Sequence, residues 1–291
     1  MPPASRPRRA LLRTVLVLLC GIGSVAASTV APAPAAASRS VVTAMADDAV
    51  LNGTHGDPAP IVARWRDAGV RNVRLFAQWS HLAPAVGATR PPAGFGGTGE
   101  VPYDLRALDR KIDLVRRNGM TVTLVVTGPG PVWGSLDPSR RNGRWRPGPA
   151  RFGAFARAVA RHVTGRVDRW IVWNEPNVAT WLQPQSTCVR GRCTPVSPHA
   201  YRKLAAAGYD AIRASDPTSP IAIGATSPKG DPTPRTVNGT VPPLRFLRGL
   251  ACVDDRHRRL TRGDCRGFRA PRGSALAYHP HSNGFTPGYR S

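Results

Sequence analysis

From residue 41 onward, short apolar runs alternate with longer stretches in which apolar residues recur at helical spacing. The runs predict six strands, and the stretches between them predict amphipathic helices near residues 61–68, 105–115, 152–163, 198–212 and 244–250. Alternation of this kind, without a hairpin signal between the strands, predicts a parallel sheet covered by its crossover helices. The six predicted strands are 41–45, 73–76, 121–126, 169–173, 221–223 and 275–278.

Two α/β architectures fit this pattern, an open doubly wound sheet and a TIM (β/α)₈-type barrel. A dinucleotide-binding sheet would carry Gly-x-Gly-x-x-Gly after its first strand, and the sequence has no such motif there. Polar or aromatic residues instead recur at or just past the predicted strand ends, and a barrel builds its active site from residues at that end of its strands. We therefore predict a barrel of which about six βα units are present. The strand-end residues are Arg74, Trp79, Trp133, Asn174, Glu175, Thr226, His279 and His281.

The most informative segment is Trp173-Asn174-Glu175-Pro176-Asn177, which ends the fourth predicted strand. A proline directly after Glu175 ends the strand, so the Asn and Glu side chains lie where the strand gives way to a loop. Glu175 is one of two glutamates in the sequence, and the other, Glu100, follows no strand. A solvated loop carboxylate is the alternative interpretation of Glu175.

This segment resembles the acid/base motif of the clan A glycoside hydrolases, which are retaining (β/α)₈ enzymes. The resemblance extends from about residue 41 to the C-terminus and is closest to the cellulase-like and β-xylosidase-like branches. One departure is His281, which stands where cellulase-like members have a tyrosine. The further matching positions are Arg74, Gln78-Trp79 and His279-Pro280-His281.

The resemblance implies a glycosidase that hydrolyses O-glycosyl bonds of poly- or oligosaccharides with retention, and it implies no cofactor and no metal. Glu175 would be the acid/base, and Asn174 would hydrogen-bond the sugar 2-hydroxyl. Arg74 would orient the nucleophilic carboxylate and hold it ionised. The remaining substrate-binding candidates are Trp79, Trp133, His279 and His281. A structural ion pair for Arg74, a core imidazole for His279 and core packing for either tryptophan remain open.

The second carboxylate of a retaining mechanism is not found in this sequence. In the family the nucleophile is a glutamate at the end of strand seven, whereas here no glutamate follows Glu175. We expect the chain to be C-terminally truncated, and a short relative that binds sugar without cleaving it is the alternative. On either view we expect little or no glycosidase activity. Without a like charge nearby, Glu175 should titrate closer to an ordinary carboxylate.

The composition leaves a third hypothesis, a basic binder of anionic polymers. The formal net charge is +24, from 41 basic and 17 acidic residues. The arginines are scattered, with short clusters in two predicted loops at 140–146 and 256–262, and no nucleic-acid-binding motif accompanies them. We therefore expect no nucleic-acid partner.

The N-terminus predicts export. Basic residues precede a short apolar run and small residues follow it, which indicates a secretory signal peptide over 1–27, then an Ala/Pro/Ser-rich leader over 28–40 and the hydrolase domain over 41–291. Lipidation at Cys20 is a minor alternative, because Leu19 occupies a position where a small residue is expected. We predict a secreted, extracellular monomer with no membrane association after cleavage.

Four cysteines follow the predicted signal peptide, and an even number in an exported chain indicates disulfides. Cys188 and Cys193 flank a tight turn, and Cys252 and Cys265 flank a basic loop, so we predict these two local pairs. A zinc site is the alternative, without Cys-x-x-Cys or a matched histidine pair to support it.

Overall fold

The computed structural model describes residues 41–93 and 103–281. The predicted signal peptide and leader lie outside the described residues. Within those two ranges, none of the helices combines the length and apolar character needed to cross a membrane.

The described chain contains eight strands, six of which form one parallel sheet and two a separate antiparallel hairpin. All six strands predicted from the sequence are present, and the hairpin is β5–β6. The strands are β1 (Ala44–Met45), β2 (Asn72–Gln78), β3 (Thr121–Thr127), β4 (Arg169–Val172), β5 (Ser186–Val189), β6 (Arg192–Pro195), β7 (Ile221–Thr226) and β8 (Ala275–Tyr278).

The order of strands distinguishes the two predicted architectures. Across the sheet the order is β1-β2-β3-β4-β7-β8, and every neighbouring pair is parallel. A doubly wound sheet reverses its strand order at a switch point, whereas a barrel adds each strand beside the preceding one. The sheet follows chain order without a reversal, which confirms the prediction of a (β/α)₈-type barrel with six units.

Seven α-helices accompany the strands in the described residues, and the five longest match the predicted helical stretches. Their apolar stripes pack on the sheet; for example, α4 buries Leu108, Ile112 and Val115. Burial of each such side chain contributes about 1.5–3 kcal/mol to the free energy of folding. The helices are α1 (Asp48–Leu51), α2 (Pro58–Asp67), α3 (Trp79–Leu82), α4 (Arg106–Arg117), α5 (Pro149–His162), α6 (Ser197–Arg213) and α7 (Pro243–Leu250).

The hairpin β5–β6 was not predicted. Its strands have four residues each, too few to show an alternating pattern, and the turn Arg190-Gly191 has positive φ at both residues (50° and 75°). Cys188 and Cys193 form a directly paired position of the hairpin and are disulfide-bonded. Cys252 and Cys265 form the second disulfide, so both predicted pairings are confirmed.

A tyrosine hydroxyl connects the strands at the centre of the sheet. The β4–β7 register covers Trp170–Ile171 against Ile221–Ala222. Beyond it, the buried Tyr201 hydroxyl of α6 donates to the Val172 carbonyl (2.9 Å) and accepts from the Gly224 N–H (2.7 Å). One side chain thus satisfies two backbone groups where the strands separate.

Candidate active site

The backbone at the end of β4 adopts an unusual conformation. Trp173 and Glu175 both have positive φ (72° and 42°), in the left-handed region that costs a non-glycine residue about 1–3 kcal/mol. Hydrogen bonds hold the segment in place: the Asn174 N–H donates to Thr127 Oγ1 (3.0 Å), and the Glu175 N–H donates to the Ala225 carbonyl (2.9 Å). Strain that the surrounding structure enforces in this way is typical of functional sites.

The Trp173 ring is buried in the core and is accommodated by a glycine. A Cβ on Gly128 would lie 2.4 Å from a carbon of this ring, so only glycine fits the turn after β3. Phe152 packs edge-on against the same ring, with centroids 5.0 Å apart. The indole therefore anchors the segment from which Asn174 and Glu175 extend.

Four of the predicted site residues form one hydrogen-bonded network. An Arg74 terminal nitrogen lies 2.6 Å from Asn174 Oδ1 and 3.3 Å from His279 Nε2, and His279 Nδ1 lies 2.9 Å from Glu175 Oε1. Arginine can only donate, so Nε2 accepts from it and the neutral imidazole carries its proton on Nδ1. His279 therefore donates to Glu175. The network joins β2, the end of β4 and the residue after β8.

The charges around Glu175 favour its ionised form. Partial burial raises the pKa of Glu175. The hydrogen bond from His279 and the electrostatic effects of His279, His281 and Arg74 lower it by more, so the net pKa lies below the usual value. Burial lowers the pKa of Arg74, and Asp48 and Glu175 counteract this. The net direction for Glu175 is therefore opposite to the raised pKa that a general acid requires.

The last residue of the motif, Asn177, binds backbone rather than facing the network. Its buried side-chain amide donates to the Ser227 and Val241 carbonyls (3.0 Å each) and to the Lys229 carbonyl (3.3 Å). Its Oδ1 accepts from the Ser227 N–H (2.9 Å). Asn177 thus connects the loop after β4 to the segment between β7 and α7.

Two predicted substrate-binding residues, Trp79 and Trp133, lie in the core. Trp79 is 0% exposed and Trp133 is 1% exposed. Trp79 stacks on Phe155 at 5.7 Å and meets Trp133 edge-on at 5.8 Å. Neither ring has a face open to a sugar, so the assignment of these two residues to substrate binding is corrected to core packing. By contrast, His281 is exposed, with its ring 5.7 Å from the His279 ring.

The structure adds an aromatic pair beside the network. Phe76 and Trp181 stack with centroids 6.0 Å apart, both rings are partly exposed, and the Arg74 guanidinium lies 4.5 Å from the Phe76 centroid. Phe76 follows Arg74 by two residues on β2 and so shares its face, a signal that strand alternation could have supplied. Trp181 lies in a loop, where no such pattern applies.

A half-buried carboxylate on α1, Asp48, also influences the network. Burial raises the pKa of Asp48, and the positive charges of Lys111 and Arg74 act against this rise. It was not predicted because it precedes no recognisable motif.

No protein-family model matches this chain, and no curated protein shows significant similarity to it. Among solved structures, it is similar to the Pseudomonas stutzeri endoglucanase Cel5A at 20% identity and TM-score 0.39, over 57% of this chain and 42% of that one. It is also similar to a β-glucosidase from Thermotoga maritima at 17% identity and TM-score 0.39, over 60% and 37%. A family 39 glycoside hydrolase from Bacteroides cellulosilyticus matches at 15% identity and TM-score 0.33, over 63% and 31%. The chain thus spans less than half of each of these proteins.

Proposed function

We propose that this chain carries the acid/base half of an exported, monomeric, retaining glycosidase that acts on poly- or oligosaccharides. The observation that carries the proposal is the network of Arg74, Asn174, Glu175 and His279. Asn174, Glu175 and His279 lie at the carboxyl ends of parallel strands in a barrel-type sheet, where such folds build their active sites, and Arg74 reaches them from within β2. Two disulfides and an N-terminal sequence typical of a signal peptide support export.

Each member of the network has a role that its contacts support. Glu175 would protonate the leaving oxygen and later activate water. The hydrogen bond that Arg74 donates to Asn174 Oδ1 fixes the orientation of that amide. The Nδ2 group of Asn174 is then free to donate to a sugar hydroxyl. His279 positions Glu175 by donating to Oε1.

A retaining mechanism also needs a nucleophile across the sugar, and no glutamate follows Glu175 in the sequence. We therefore propose that this chain alone turns over little or no substrate. The same argument supplies a test, since a small added carboxylate can take the place of the missing nucleophile. Formate would attack the anomeric carbon as Glu175 protonates the departing oxygen, giving a glycosyl formate of inverted configuration and the free leaving group.

The experiment measures hydrolysis of 4-methylumbelliferyl glycosides by the purified chain, with and without formate. We expect turnover that depends on formate and is lost in Glu175→Gln but kept in Asn238→Gln, a change at an exposed site. Formate-independent turnover abolished by Glu175→Gln would contradict the expected inactivity. Failure of formate to restore turnover with any glycoside, although the sugar binds, would contradict the acid/base role.

A non-catalytic carbohydrate binder is the second candidate, and the lowered pKa of Glu175 favours it, because an ionised carboxylate accepts sugar hydroxyls but does not protonate a leaving group. The partly exposed Phe76–Trp181 pair offers an apolar surface beside the network. This candidate predicts saturable oligosaccharide binding, measured by calorimetry, that Trp181→Ala weakens. A basic binder of anionic polymers would differ, since its affinity would fall steeply with salt and would not depend on Glu175.

A further inference from the structure

We propose that Glu175, His279 and His281 form a binding site for a divalent transition metal, with Zn²⁺ as the ion best matched to the ligands. This inference concerns binding and does not depend on the glycosidase proposal. One ligand atom from each of the three side chains lies within 4.8 Å of the other two. Two imidazoles and one carboxylate are ligands that Zn²⁺ takes at its open, three-ligand sites.

The distances allow a common ion with little movement. Zn²⁺ binds nitrogen and oxygen at about 2.0–2.2 Å, so two tetrahedral ligands lie about 3.4 Å apart. Glu175 Oε1 and His279 Nδ1, now 2.9 Å apart, need to separate by about half an ångström. The ligand nitrogen of His281 must move toward the other two ligand atoms by a little over an ångström at most. Because His281 is exposed, its side chain is able to turn.

Two of the ligands are already held in place by the protein. The Glu175 N–H donates to the Ala225 carbonyl, and the His279 N–H donates to the Thr226 carbonyl (3.0 Å). Adjacent residues of β7 therefore fix both ligand backbones. The Glu175 and His279 side chains are 20% and 13% exposed, so an ion between them would be largely shielded on the protein side and open toward His281.

Arg74 limits the affinity of this site. When Nδ1 of His279 binds a metal, the ring proton must move to Nε2, where the Arg74 terminal nitrogen now donates at 3.3 Å. The arginine keeps its shorter bond to Asn174 Oδ1 (2.6 Å) and loses the contact with His279. Since metal-bound histidines ordinarily donate this second N–H to an acceptor, we expect weaker binding than at a structural zinc site.

The second group of potential ligands in the described residues, His199 with Cys252 and Cys265, serves as an internal contrast. Both sulfurs are joined in a disulfide and are not thiolate ligands. Metal binding under non-reducing conditions should therefore come from the Glu175 site.

The test is calorimetric titration of the untagged chain with ZnCl₂ without reductant, with Co²⁺ absorption in the visible region as a second readout. We expect one ion per chain. Since loss of even an outer-shell partner of a metal ligand weakens binding by roughly 10–100-fold, His281→Ala should weaken it by at least about tenfold. The control His55→Ala removes an exposed histidine outside the site and should leave the affinity unchanged.

His281 is exposed, so its loss should not affect folding, which circular dichroism verifies. Absence of binding at millimolar Zn²⁺ would overturn the proposal. So would equal affinity in the wild type and His281→Ala, or loss of binding in His55→Ala. Because no glycoside is present in the assay, these outcomes are independent of whether the chain cleaves sugar.

Discussion

Asn177 offers a sharp test of how the loop after β4 is stabilised. Replacing it with alanine removes the partner of the Ser227 and Val241 carbonyls and of the Ser227 N–H. A buried backbone group deprived of its partner costs about 1–3 kcal/mol. Taking the three groups together, we expect Asn177→Ala to lower the free energy of unfolding by about 3–5 kcal/mol.

Asn177→Asp makes the test stricter, because aspartate has nearly the same shape but no N–H donor. Its second oxygen would face the carbonyls that the amide now binds, and a charge would be buried there. We therefore expect Asn177→Asp to be at least as destabilising as Asn177→Ala at pH 7. A hydrophobic or purely steric role for Asn177 predicts the reverse order.

The pH dependence of Asn177→Asp follows from the same geometry. Burial would raise the folded-state pKa of the new carboxyl above its unfolded value of about 3.9. The destabilisation caused by the buried charge is then full above the folded-state pKa. It shrinks as the pH falls and disappears below the unfolded-state pKa, where the acid is protonated in both states. The deficit relative to wild type should be smaller at about pH 4 than at pH 7.

The assay is urea unfolding followed by tryptophan fluorescence, with thermal unfolding as a check. A loss of 3–5 kcal/mol corresponds to a drop in Tm of about 6–20 °C in a chain of this size. Asn238→Asp, at an exposed position, is the matched control and should change stability by less than about 0.5 kcal/mol. Wild-type stability of Asn177→Asp at pH 7 would refute the reasoning.

Two further predictions concern stability. Replacing both cysteines of Cys252–Cys265, which are 13 residues apart, should cost about 3 kcal/mol, against about 2 kcal/mol for Cys188–Cys193, which are five apart. Urea unfolding of the two double Ser variants measures this, and a larger cost for the shorter loop would contradict the loop-entropy argument. Gly208→Ala should cost about 1–3 kcal/mol, because its Cβ would lie 2.7 Å from Val172 Cγ1 where α6 packs on β4. Thermal unfolding compares this variant with Gly165→Ala. At Gly165 an added Cβ meets nothing within 4 Å, but φ is +76°. The loss of stability in Gly208→Ala therefore reports crowding, and the loss in Gly165→Ala reports backbone strain.

The fold could be predicted from the sequence because its units repeat one simple rule. Apolar runs of β2 and β3, alternating with stripes such as that of α4, determine a parallel sheet by local pattern alone. The hairpin β5–β6 was missed because its stability depends on a cross-strand disulfide and a turn rather than on alternation. The helical pattern of α6 is recognisable from residue 198, whereas the helix begins at Ser197, whose hydroxyl donates to Gln185 Oε1.

The candidate site was predicted in part, for a different reason. Glu175 and His279 could be grouped because parallel strand ends converge, which is a property of the topology, whereas Arg74 reaches them from within β2. Trp79 could not be placed, since a residue just after a strand can turn into the core as readily as toward the site. Its ring lies against Gly130, where a Cβ would approach to 2.6 Å, a long-range packing relation that no local pattern reveals.

The chain-order sheet has a consequence for the order in which the fold assembles. Each strand of the sheet pairs with the strand that precedes it in that sheet, and both disulfides join cysteines close in sequence, so a partner has already emerged whenever a new strand arrives. Folding can therefore proceed from the N-terminal end without waiting for distant segments. The network at the strand ends is the exception, because Arg74 and His279 are 205 residues apart. All six strands of the sheet precede His279 in the chain, so the site is the last part of the described fold to form.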